Sequence, residues 1–178
     1  MKRAALLVVV AVLSFPNHLS AQTEQANSIQ QAILGTWKLV SASSSTDKAV
    51  FGQNPTGLLT YTPDGHMSAL VANGGRKPLS DDDVFSAPVE ERAQAFSTFI
   101  AYAGRYTFTG HQVIHHVEVA SIQNWVSTNL TRDVRFEGNR IILRTPPMTS
   151  GGVLQTFELV WERVQQGRTC SALQIDSN

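Results

Sequence analysis

"GRYTFTGHQVIHHVEVAS", residues 104–121, decides the fold. Its side chains alternate, with Tyr106 and Phe108 on one face and Arg105 and Thr107 on the other, until the turn residues around Gly110. A β-branched run follows, in which Val113, His115, Val117 and Val119 share a face while Ile114, His116, Glu118 and Ala120 share the opposite one. Period two on both sides of a short Gly-containing turn is the mark of an antiparallel hairpin.

Working outward, the same alternation recurs at 35–41, 57–62, 66–72, 129–136, 139–145 and 155–164, which with 104–109 and 112–120 makes eight strands. "TPDG" (62–65), "TGHQ" (109–112) and "EGN" (137–139) supply the residues that tight turns need. One segment breaks the pattern. In "APVEERAQAFSTFIAYAG" (87–104), Val89, Ala93, Phe96, Ile100 and Ala103 fall at helical spacing behind Pro88, Glu90 and Glu91. This spacing predicts a helix over 88–102, ended by Gly104 and preceded by the loop "NGGRKPLSDDD" (73–83). Eight antiparallel strands in one domain hide their edges best by closing on themselves. The expected fold is mainly β, an eight-stranded antiparallel barrel with one helix inserted between strands 3 and 4. Barrels of this size either fill with side chains or hold one small ligand.

The ends of the chain read differently. Lys2 and Arg3, the apolar stretch from Ala4 to Phe15, and then Pro16, Ser20 and Ala21 have the make-up of a secretory signal peptide over 1–21. The apolar stretch is too short to span a bilayer. Residues 22–33 are a polar leader, 34–165 the barrel domain, and 166–178 a polar C-terminal tail. The expected location is periplasmic or extracellular, with no transmembrane segment after cleavage. Removing 1–21 leaves 12 basic against 14 acidic side chains, a balance that favours neither nucleic acid nor an anionic membrane. Cys170 is the single cysteine, so no intrachain disulfide is available and packing must hold the fold.

The ordered stretches "LGTWKLVS" (34–41), "PTGLLTYTPDGHMSAL" (55–70), "FIAYAGRY" (99–106), "HHVEVA" (115–120) and "LVWERV" (159–164) resemble the single-domain lipocalin-like family of bacteria and fungi. The resemblance covers nearly all of the chain after residue 33. It implies a calycin-type barrel with a cavity, and a Trp37 packed at the barrel base against Arg163 through a cation–π contact. In "SIQNWVST" (121–128), Gln123 and Ser127 stand where family members often carry Pro and Gly.

The apolar strand faces predict an interior made by Trp37, Leu39, Leu59, Tyr61, Met67, Ala69, Tyr106, Phe108, Leu130, Val134, Ile141, Leu143, Phe157, Leu159 and Trp161, with His115 and Val119 turned inward too. Arg132 shares the face of Leu130 and Val134, and an unpaired arginine in an apolar interior is costly. Either it lies near a barrel mouth and reaches water or Glu118, or it meets the carboxylate or carbonyl of a bound molecule. Candidate ligand-binding residues are therefore Tyr61, Tyr102, Tyr106, His115, Glu118, Trp125 and Arg132. Each also has a plainer role: His115 as a satisfied core histidine, Trp125 as packing, Glu118 as a solvated charge, Tyr102 as an anchor for the helix end.

A metal site is disfavoured because adjacent histidines on a strand point to opposite faces, and His116 with Glu118 lacks a third ligand. The sequence has no nucleophile-elbow serine and no phosphate-binding glycine loop, and it calls for no cofactor. The expectation is an exported protein binding a small, mostly apolar or amphipathic molecule that bears a polar or anionic group. The alternatives are a cofactor-free isomerase or cyclase acting on an unsaturated carbonyl compound, which requires His115, Arg132 and tyrosines to converge, and a filled barrel that binds other proteins.

Overall fold

The alternating runs become strands that each use two neighbours. In the computed structural model, which describes residues 28, 30–46, 50–83 and 85–165, these are β1 (Gly35–Ser44), β2 (Thr56–Tyr61), β3 (His66–Ala72), β4 (Phe99–Phe108), β5 (Gln112–Ala120), β6 (Asn129–Glu137), β7 (Arg140–Arg144) and β10 (Phe157–Arg163). They close into an antiparallel barrel in the order β1-β10-β7-β6-β5-β4-β3-β2. A separate two-stranded hairpin, β8 (Met148–Ser150) and β9 (Val153–Gln155), sits between β7 and β10. The expected signal peptide, residues 22–27 of the leader, and the tail with Cys170 lie outside the described residues.

At the end where the chain enters, Trp37 is fully buried and donates its indole N–H to the Ile33 carbonyl at 2.9 Å. The Arg163 guanidinium lies 4.0 Å from the Trp37 ring centroid and donates to the carbonyls of Leu34 and Ala32. Gly35 is needed between them. Its φ is +110°, and a Cβ there would sit 3.1 Å from Arg163 Nη1. Residues 30–33 are helical, and the Ile33 side chain is fully buried in the core. The last part of the supposed leader is thus a plug in the barrel base, because a lone apolar side chain gains more by filling that end than by staying in water.

The helix, α1, runs only from Val89 to Ser97, between β3 and β4 as expected but shorter than 88–102. Ile100 and Ala101 instead pair with Val71 and Leu70 as strand residues. The apolar spacing that suggested one long helix joins two unrelated elements. Val89 and Phe96 stay exposed at 63% and 59%, while Ile100 belongs to the barrel wall.

Two bulges reset the alternation. In β1, Leu39 pairs with Trp161 and Ser41 with Val160, so Val40 is an extra residue. In β5, Val117 and Val119 face the adjacent residues Gly104 and Ala103, leaving Glu118 extra. Val119, expected inside, is therefore turned out and 62% exposed. Gly104 is a strand residue and not a helix stop: a Cβ on it would lie 2.0 Å from the His116 carbonyl oxygen and 2.9 Å from the Glu118 nitrogen.

Gly104→Ala is expected to destabilise the barrel by more than about 2 kcal/mol, since backbone on both sides of the bulge must shift. Gly138→Ala, at a φ of +60° with nothing within 4 Å, should cost only about 1 kcal/mol of backbone strain. Urea denaturation of both variants checks this, and equal losses would rule out the close approach at the bulge. Ser127 has a φ of +62° at the position where the family resemblance calls for Gly. Ser127→Gly should match or exceed the wild-type stability, by up to about 1 kcal/mol in the same experiment.

Candidate functional site

The barrel is filled at one end and hollow at the other. Trp37, Tyr61, Met67, Tyr106 and Phe108 pack the base. At the opposite end, where the longer connections lie, is a cavity of about 390 Å³. Its wall is apolar and aromatic, with Phe51, Ile100, Leu143, Phe157, Leu159 and Trp161, and its polar lining includes Tyr102, Trp125 and Arg132. This make-up is typical of a small-molecule pocket. A larger groove of about 600 Å³ runs along α1 and residues 73–79, but it lies outside the barrel and is lined by both signs of charge, Arg76 and Lys77 with Glu90 and Glu91.

Three of the seven candidate residues, Tyr102, Trp125 and Arg132, therefore line the cavity. Two more stand behind them. His115 is completely buried, with Tyr61 Oη 2.7 Å from its Nε2 and Tyr102 Oη 3.0 Å from its Nδ1. Tyr106 is directed to the base, where it donates to the Thr62 carbonyl at 3.1 Å and meets the Tyr61 ring edge-on. Glu118 is exposed at the bulge and forms no ion pair with Arg132. His116 faces outward, its two ring nitrogens 2.8 Å from Thr107 Oγ1 and 2.8 Å from Asn129 Oδ1.

The electrostatics follow from burial. Desolvation holds the His115 imidazole well below its ordinary value, helped by the nearby positive charge of Arg132 and by His116. The ring is neutral, so one nitrogen donates and the other accepts. Burial raises the phenols of Tyr61 and Tyr102, while the Arg132 guanidinium opposes that rise at both. The two phenols flank this neutral ring, so one of them donates to it and the other accepts from it.

Arg132 itself is partly buried and donates to the Thr131 carbonyl at 2.7 Å. Among the described residues no carboxylate pairs with it. Among the described residues the cavity lining contains no Asp, Glu, Lys or His, which leaves Arg132 as its one charged side chain.

Sequence reasoning missed the loop side chains of the rim. Phe51 is held by a crossing of two loops, in which Gly74 N–H donates to the Phe51 carbonyl at 3.1 Å and a Cβ on Gly74 would meet Gln53 O at 1.5 Å. Met148 comes from the unforeseen hairpin. An isolated Phe between loop residues and the "GG" at 151–152 were the available signals.

A family described as a lipocalin-like domain matches residues 34–164. The chain belongs to that family. The 4'-hydroxy-3'-methoxypropiophenone carrier protein of Aspergillus oryzae is 32% identical over 107 residues, which cover 55% of this chain and 96% of that protein.

The depressed His115 value gives a direction for stability. Between the folded value and the unfolded value of 6.5, the unfolded chain binds the extra proton. Stability is therefore full above that unfolded value and declines as the pH falls below it, by at most about 1.4 kcal/mol per pH unit from this group. Thermal unfolding from pH 7 to pH 5 should show the decline, and His115→Gln should flatten it. An unchanged slope in a folded His115→Gln would show that other groups carry it.

Proposed function

We propose that this member of the lipocalin-like family is an exported carrier that binds a small, mostly apolar molecule by a carboxylate or carbonyl group inside the barrel. The observation that carries the reading is Arg132, an arginine without a carboxylate partner among the described residues, set in a cavity otherwise walled by apolar and aromatic side chains. A planar guanidinium suits an anionic or carbonyl oxygen, and the apolar wall gives the rest of a small molecule surface to pack against. The relative named as a carrier of an aryl ketone supports the same chemistry. The signal-like composition of residues 1–21 supports export. No helix among the described residues is long and apolar enough to cross a membrane.

A second reading has its own support. Arg132, Tyr102 and His115 converge at one wall, as a cofactor-free isomerase or cyclase would need. Arg132 would polarise a bound carbonyl and Tyr102 would exchange a proton with it, with His115 behind the phenol as its partner. Turnover of an unsaturated carbonyl compound that is abolished in Tyr102→Phe, with ligand affinity kept, would establish this reading; binding without turnover leaves the carrier.

The carrier reading is tested by calorimetry with 4-ethylbenzoate and its uncharged counterpart 4-ethylacetophenone. Wild-type protein should prefer the carboxylate, and Arg132→Met should weaken its binding by about 10- to 100-fold while affecting the ketone less. A folded Arg132→Met that binds the carboxylate as well as wild type would remove Arg132 from the site.

A further inference from the structure

Two tryptophans are buried in this barrel, and their indole N–H groups differ. Trp37 donates to the Ile33 carbonyl. Trp161, only 2% exposed and part of the cavity wall, has a buried Nε1 with no hydrogen-bond acceptor among the described residues. A buried donor left unsatisfied is destabilising, and native interiors rarely tolerate one without a reason.

Its placement is informative. A Cβ on Gly57 of β2 would lie 3.3 Å from Trp161 Cζ3, which puts the benzo ring of the indole next to β2. In the eight-strand order, β10, which carries Trp161, is diametrically opposite β4, which carries Tyr102. Arg132 acts from β6 on that same Tyr102. Trp161 and Tyr102 thus stand on facing walls of the cavity, with aromatic surface between them and, among the described residues, no acidic acceptor in the lining.

We propose that Trp161 is a specificity-determining residue that donates to a second oxygen of the ligand. The preferred ligand class is then an aromatic ring with a carboxylate or carbonyl at one end and an ether, hydroxyl or carbonyl oxygen at the other. This deepens the carrier reading and rests on it. The first oxygen meets Arg132, the ring lies between aromatic walls such as Phe157 and Tyr102, and the second oxygen satisfies the indole.

The test compares 4-methoxybenzoate with 4-ethylbenzoate, which differ by an oxygen in place of a methylene, on the full mature chain. Calorimetry should show wild type preferring the methoxy compound by about 3- to 10-fold, the worth of one net hydrogen bond. Trp161→Phe should bind both equally. One of the three indole N–H resonances of the wild-type protein should move downfield with the methoxy compound and not with the ethyl one, a readout that stands even where Trp161→Phe fails to fold. Equal wild-type affinities, with Arg132→Met weakening both, would overturn the role of Trp161 and keep the carrier reading. A preference that survives in Trp161→Phe would also overturn it. If neither compound binds the wild type, both readings fall together.

Discussion

The structure depends on how β1 is held. It is the first strand, and it must pair on one side with β2, close in sequence, and on the other with β10, the last strand. Until the second pairing forms, the sheet has two open edges and no enclosed volume. Arg163 fixes that pairing from the last strand, stacking on Trp37 while it satisfies the Ala32 and Leu34 carbonyls just before β1. A guanidinium keeps its charge in proteins, so the contact is a cation–π pair, worth about 1 kcal/mol at this partly exposed position. The Gly-x-Trp spacing has a physical cause here: the glycine leaves room for the guanidinium that covers the tryptophan.

Closure at that end decides where free volume remains. Trp37, Tyr61 and Ile33 are among the largest fully buried side chains, and with Met67 and Phe108 they occupy the base. The other end cannot be filled in the same way, because its closing elements are loops and a hairpin. Phe51, Ile122 and Met148 reach only its rim. α1 contributes Ser97 to that rim and buries none of its residues, so it shapes the entrance and adds little to the core.

What the sequence revealed followed the range of each signal. Alternation is local, and it located all eight barrel strands and most of the inward residues, Trp37, Leu59, Val113 and Ile141 among them. A bulge cancels alternation by one residue, and nothing in "VIHHVEVA" marks Glu118 as the extra one; Val119 was misplaced for that reason. The partner of the bulge, Gly104, was visible but had two meanings, and only the cross-strand approach of His116 selects the right one. Three-residue strands such as Met148–Ser150 are too short to show a period. In the site, Arg132 was legible because a charge on an apolar face violates the pattern, and His115 because its face was the inner one. The unsatisfied indole of Trp161 was not legible, since hydrogen-bond satisfaction is a property of three dimensions.

The buried histidine and the partly buried arginine are linked by one constraint. A second positive charge beside Arg132 would be expensive in this interior, so His115 is held neutral by burial and by that neighbour. A neutral ring can take one phenol as donor and the other as acceptor, and it uses both, fixing Tyr102 from behind while the Arg132 charge bears on the same phenol. The arginine is held by its hydrogen bond to the Thr131 carbonyl, its charge bears on Tyr61, Tyr102 and His115, and among the described residues no carboxylate pairs with it. Glu118, on the neighbouring strand, lies on the face opposite His115, is exposed to solvent and forms no ion pair with Arg132. Among the described residues the cavity lining therefore carries one charged side chain, a cation with no carboxylate partner.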